Sequence, residues 1–367
     1  MKTGAKNLLA VLALSLFVFS TNLLMAGGGQ VHPCANSDDV YRALAIAQAG
    51  DTILLEGGKR FEIEKSFKLK AAGEEGRRIH FTSDDASGEG RFAVISTVGG
   101  KKEENLKAIM LLGSYWTVSR IEISGERVPL EEGCWDTNGF QLGLYLLGSD
   151  SHHNVVEDVH IHHTHNAAVA VRDESHHNTF RRMNIHHIGE WLDKDYNAHE
   201  GEGFYLGSSK SFKEEGNKAR VHDILIEDSV LGPGLLGQFI DIKYAASYVT
   251  ARNNVLYCDE KSYNEEVVKL AGYANLITDN TFVGSTGNLT RYVHIFNKKT
   301  KDPVRVNYLG QENIPSPTGR DNTVLNNVFY TNNPAIVPVK IDVSDKDRPS
   351  LRVEQNRIEP LANRTVL

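Results

Sequence analysis

The 367 residues carry 47 Asp and Glu against 40 Lys and Arg, a formal net charge of -7, with 40% hydrophobic residues and three cysteines. That balance excludes a global basic field for nucleic acid, a disordered chain and a disulfide framework. It leaves room for one large domain or two ordinary ones, and on its face it disfavours a polyanionic partner.

Lys2 and Lys6 precede an apolar run from Leu8 to Met25, and Met25-Ala26-Gly27-Gly28-Gly29 supplies small residues for cleavage. Residues 1–26 read as a secretory signal, which makes the chain secreted or periplasmic and frees the mature part from the membrane. A retained N-terminal anchor is the competing reading, because the run approaches the roughly 20 residues that a span needs. In an oxidising compartment one pair among Cys34, Cys134 and Cys258 can form, and spacing does not choose it.

After the signal, Ser37-Asp38-Asp39 precedes Val40, Leu44 and Ile46, the pattern of a short capped helix. Gly50-Asp51, a strand over 52–55 and Gly57-Gly58 follow. Residues 36–58 suit a lid over the end of a solenoid, which must hide its open core.

From about residue 115 the chain repeats with a period of about 25. His152-His153-Asn154 returns as His176-His177-Asn178, each followed by a matching strand around Ile161 and Ile185. The same slot then reads Asp228–Leu231, Asn253–Leu256, Asp279–Phe282, Asn326–Phe329 and Gln355–Ile358. Its apolar position (Ile161, Ile185, Leu231, Leu256, Phe282, Phe329, Ile358) should point inward. So should Asn254, Asn280, Asn327 and Asn356, whose stacked amides can bond each other and turn backbone. Between these lies a second strand class with period-2 alternation: 143–147, 168–172, 203–207, 239–243, 267–271, 292–296 and roughly 338–342. Short strands with Gly, Asn, Asp and Ser turns exclude a helical solenoid. The reading is all-β: a right-handed parallel β-helix with coils of about 25 residues, one domain over 27–367. Two coils are overlong. Their excess predicts loop insertions at 188–202 and 297–320, the places where a regular rod carries function.

Alternation turns Leu144/Leu146, Val169/Val171, Phe204/Leu206, Ile240/Ile242, Val268/Leu270 and Val293/Ile295 inward. The outward face then collects Tyr145, Arg172, Tyr205, Asp241, Lys243, Lys269 and His294 on coils about 4.8 Å apart. Phe239 and Tyr292 are expected one step further along that face, and Glu200 and Glu202 reach it from the first insertion. Cations beside an ionisable tyrosine, carboxylates and aromatic plates suit an acidic polysaccharide. β-Elimination on a uronate needs positive charge for the carboxylate, a base for the C5 proton and an acid for the leaving oxygen. Lys243 is the expected base, its amine freed of a proton by Lys269 and Arg172. Arg172 or Lys269 holds the carboxylate, and Tyr205 or His294 is the acid. Asp241, Glu202, Glu200, Phe239, Tyr292 and Tyr145 bind substrate. A mixed-charge sheet with Asp241 and the lysines as ladder pairs is the structural alternative. His160, His162, His163, His165, His186 and His187 cluster over two coils, but they read as stacked turn histidines, so no metal is assigned.

The segments GDTILLEGG (50–58), GEGFYLGSS (201–209) and FIDIKYAASYVTARNNVL (239–256), with the Asn-rich coils, resemble right-handed β-helix proteins of the pectate-lyase-like superfamily. The resemblance covers roughly residues 36 to 360 and is nearest to the alginate lyase and chondroitinase B group. It implies the catalytic lysine role for Lys243. The group's arginine, one coil later, falls where this chain has Lys269. Its calcium-binding carboxylates fall on Leu236 and Gln238, so the resemblance does not carry a calcium site here.

The expected function is therefore a polysaccharide lyase acting on a uronate polymer, working as a monomer without nucleic acid. A glycoside hydrolase is the first alternative, with Asp241 and Glu202 as the only available carboxylate pair. A non-catalytic carbohydrate-binding or structural β-helix protein is the second.

Overall fold

The computed structural model describes residues 28–361 except 86–87, 89, 98–105, 126–138, 190–199, 209–219, 260–264, 285–287 and 298–304. Residues 1–26, Cys134 and most of the first insertion therefore lie outside the described residues. Among the described residues no helix is long and apolar enough to cross a membrane.

The chain is a right-handed parallel β-helix. One sheet stacks nine strands, in spatial order from Phe67–Leu69 through Lys107–Leu111, Leu142–Leu147, Ala167–Arg172, Glu202–Leu206, Ile240–Ile242, Glu266–Leu270 and Arg291–Phe296 to Val337–Asp342. The other, of 19 strands, wraps the remaining sides of each coil and bends at fixed corners. One corner is held by left-handed residues stacked from coil to coil: Asp158, Arg182, Asp228, Asn253, Asp279, Asn326 and Gln355 all have φ between 52 and 57°. Mostly Asp and Asn fill this corner, because their short polar side chains tolerate that backbone best.

The predicted inward rows are buried, with Leu144, Val169, Phe204, Ile240, Val268 and Val293 all 0–1% exposed. Beneath the corner runs the expected amide ladder. Asn254 Nδ2 donates to Asn280 Oδ1, Asn280 Nδ2 to Asn327 Oδ1 and Asn327 Nδ2 to Asn356 Oδ1, each at 3.0 Å. The same amides donate to strand carbonyls, as Asn280 does to Ala251 at 2.9 Å. The amides of this ladder are thus occupied, which offsets the penalty for placing polar groups in the core. A second ladder, Asn275 on Asn322, lies at the next corner and was not expected.

At the N-terminal end the helix is Ser37–Ile46, with Asn36 as its cap accepting from Asp39 N at 3.0 Å. Val40 and Ala43 are buried and Tyr41 packs on Phe67 at 4.9 Å between centroids, so the helix closes the core as a lid. The sheet begins earlier than expected: Val31–Cys34 pairs in parallel with Thr52–Leu55 before the helix is reached. Ile358, on the last described coil, is 61% exposed, since no described strand covers it. The second insertion is not plain loop. It forms an antiparallel hairpin, Arg305–Tyr308 with Gln311–Pro315, whose Val306 and Tyr308 pack on Ala245 and Tyr273. Cys34 and Cys258 are buried free thiols, not partners; burial pushes Cys34 up to about 12.

Candidate active groove

The outer face of the nine-stranded sheet carries a groove of about 500 Å³. Tyr145, Arg172, Glu200, Glu202, Tyr205 and Lys243 line it, together with Lys107 and Asn166, over a floor of Ala167 and Ala170. Register explains the convergence. Tyr145, Ala170, Tyr205, Asp241, Lys269 and His294 are paired neighbours on successive strands, and Arg172 and Lys243 sit two residues beyond Ala170 and Asp241. Small Ala170 leaves the space into which the larger neighbours reach.

Tyr205 is the centre of the arrangement. The Arg172 guanidinium lies 4.8 Å from its ring centroid and Lys243 Nζ lies 4.3 Å from it. Both cations are within the range of attraction to the ring face. Lys243 Nζ also donates to Asp241 Oδ2. Asp241 is 1% exposed, and its other oxygen, Oδ1, accepts no hydrogen bond.

Burial pushes the Asp241 carboxyl above the usual range even against the attraction of Lys243 and Lys269. For Lys243, burial pulls the ammonium down, but Asp241, Tyr205 and Glu202 together outweigh it and hold the group above an ordinary lysine. The expectation that Arg172 and Lys269 would lower it is corrected here. The anion two residues away on the same strand is closer than either cation and decides the sign. Glu202, 6% exposed, is raised to about 7 by burial and by neighbouring Asp241. It belongs to the strand Glu202–Leu206 itself, not to the insertion.

Other expected members stand elsewhere. Phe239 is 1% exposed and Tyr292 is 0% exposed, and the Tyr292 hydroxyl donates to the Gly284 carbonyl at 2.7 Å. They are core residues, not binding plates. The chain turns into each strand with two consecutive residues inside, so alternation fails at that step. Asp241 lies on the outward column but is covered, so it cannot touch substrate. Lys269 is on the next coil, 3.9 Å from Glu266. His294 is held between Asp342 at 2.9 Å and Glu266 at 3.5 Å, outside the groove lining.

The failed step hid a polar column. Glu202, Gln238, Glu266 and Arg291, in line with Ala167, stand one residue earlier than alternation implied. Glu266 accepts from Arg291, and although burial would raise it, His294, Arg291 and Lys269 hold it down to about 2. Polar residues recurring at 202, 238, 266 and 291 were the available signal. Leu236 is buried and Gln238 reaches toward Glu266 at 3.5 Å. Calcium takes six to eight oxygen donors. Here Asp241 is tied to Lys243, Glu266 to Arg291, and Glu202 holds its proton to about 7, so the donor set does not fit that ion.

No family model matches the chain, and no curated protein does. Among solved structures it is similar to an alginate lyase from Paenibacillus sp. str. FPU-7, with a TM-score of 0.70 at 21% identity over 91% of this chain and 96% of that one. The pectate lyase Pel9A gives a TM-score of 0.50 at 16% identity, covering 86% of this chain and 73% of that one. A PL6 family polysaccharide lyase from Pseudopedobacter saltans gives 0.47 at 11% identity, covering 91% and 94%. At these identities the first two similarities establish the shared parallel β-helix fold and nothing finer.

Proposed function

We propose that the chain is a secreted polysaccharide lyase that cleaves a uronate-containing polymer by β-elimination in this groove. One observation carries the reading: Arg172 and Lys243 converge on one tyrosine ring at the mouth of an open groove, with a buried carboxyl beneath the lysine. Lyases among the proteins that share the fold support it.

Arg172 pairs with the uronate carboxylate and so acidifies the C5 proton. Lys243 accepts that proton. In the empty groove its ammonium is favoured, so the amine must come from within the pair. A polymer lying over the groove excludes water and raises the desolvation cost of holding both charges, which the Lys243–Asp241 pair relieves by passing the ammonium proton along the hydrogen bond to Asp241. The unpartnered Oδ1 of Asp241 already makes the neutral acid its better-tolerated form. The C5–H electrons form the C4–C5 double bond, the C4–O bond breaks, and the departing oxygen takes the Tyr205 phenolic proton. Glu202, neutral below about pH 7, can lie beside the uronate without repelling it.

Hydrolysis is the weaker reading. It needs two carboxyl groups flanking the sugar, and Asp241 is sealed beneath Lys243. The test is a panel of uronate polymers followed both by ultraviolet absorbance of unsaturated ends and by new reducing ends. Both signals rising together are expected. Reducing ends alone mean a hydrolase, and a polymer retained but uncut means a binding protein.

A further inference from the structure

Away from the groove, one corner of the larger sheet carries imidazoles on successive coils. His152-His153, His176-His177 and His222-Asp223 occupy equivalent places, since His152 bridges to His176 and His176 pairs with His222 in register. The second residue of each pair has left-handed backbone, with φ of 53° at His153, 52° at His177 and 55° at Asp223. That conformation turns the paired side chains across one another, and the His176 and His177 rings stand at 82°. The first residues stack instead, His176 on His222 at 4.9 Å and 2°.

Stacking alone is ordinary ladder packing. His162 and His186 stack as well, at 4.9 Å and 4°. Convergence sets the first corner apart. Among the described residues, His176, His177 and His222 are the one group of three His, Cys, Asp or Glu whose ligand atoms all lie within 4.8 Å of one another. Asp223 adds a carboxylate, with Oδ2 at 2.7 Å from His222 Nδ1 and 3.8 Å from His177 Nε2. A carboxylate on one ring nitrogen orients an imidazole and raises its basicity at the other, the usual arrangement around a metal-bound histidine. Access is open, because His176 and His222 line a surface groove of about 440 Å³ with Glu174, Arg220 and Tyr248, walled by Asn307 of the inserted hairpin.

We infer that His176, His177 and His222, with Asp223 beside them, form a site for a divalent transition metal of the zinc class, separate from the uronate groove. Three imidazole donors select zinc, nickel or copper over calcium and magnesium, which prefer all-oxygen sites. The ligands come from two successive coils, so a bound ion would clip those coils together.

The test uses the full chain without a histidine tag. Zinc chloride is titrated into it calorimetrically, and cobalt(II) reports the coordination geometry by its absorption spectrum. One saturable equivalent is expected. His177→Gln and His222→Gln should each weaken zinc about tenfold or more, and Asp223→Asn should weaken it through the orientation of His222. His186→Gln, in the neighbouring ladder, should bind as the wild type does. Zinc should raise the melting temperature of the wild type and leave that of His222→Gln unmoved. If half-buried His222→Gln does not fold, exposed His177→Gln decides alone. Absence of saturable binding, unchanged affinity in His177→Gln, or equal loss in His186→Gln overturns the assignment.

Discussion

Replacing Glu202 by glutamine removes one titratable proton from the groove wall and keeps the shape of the neutral acid. The carboxyl is 6% exposed, and burial together with Asp241 carries it from 4.5 up to about 7. Ionising it in the folded protein therefore costs roughly 3 kcal/mol more than in the unfolded chain, at about 1.4 kcal/mol for each tenfold change in proton affinity. Its sign follows from where each state lets the proton go. Below about 4.5 both states keep it and stability is unaffected. Between 4.5 and about 7 only the unfolded chain has released it, so stability falls; above 7 the full loss stands. Glutamine has nothing to release. Glu202→Gln should match the wild type near pH 4 and exceed it by roughly 3 kcal/mol near pH 8. Urea unfolding followed by circular dichroism across that range measures the difference. A difference that stays flat with pH refutes the buried, proton-holding carboxyl.

Polymer affinity should fall as pH rises through about 7, where Glu202 becomes charged beside the uronate, and KM in Glu202→Gln should lose that dependence. Tyr205→Phe keeps the ring that Arg172 and Lys243 face but has no phenolic proton. Its kcat should drop about 100-fold or more with KM little changed, and an unchanged kcat moves the acid elsewhere. Asn327→Ala strips two donors in Asn280 of their acceptor and leaves the Ile277 carbonyl and the Asn356 Oδ1 without the amide that donates to them. It should cost about 2–4 kcal/mol, read as a lower urea midpoint, because buried polar groups are left unsatisfied.

Much of the rod was legible because its constraints repeat. The Asn254, Asn280, Asn327 and Asn356 slot and its apolar neighbours recur with the coil, so each copy confirms the others. Inward rows such as Val169, Phe204, Ile240 and Val268 followed from simple alternation. Phe239 and Tyr292 were misplaced because the corner before the strand turns two consecutive residues inside, a local geometry that period-2 reasoning does not contain. The same slip hid Glu266 and Arg291. Two of the groove's cations, Arg172 and Lys243, were named from the sequence, whereas Lys107 was missed and Lys269 lies outside the lining; the sign of Lys243's shift was not foreseen. It depends on how close Asp241 comes once the strand is folded and how little water reaches it, and neither distance nor burial is written in spacing. The net charge of -7 is likewise a sum over the whole rod, and it conceals the pairing of Arg172 and Lys243 at one place.

The most direct measurement is the release of unsaturated ends from a uronate polymer by wild type and Lys243→Ala, side by side, with circular dichroism on both. Expected is a steady rise in ultraviolet absorbance for the wild type and none for a folded Lys243→Ala. Full activity in the variant, or cleavage by the wild type without that absorbance, contradicts an elimination run by Lys243.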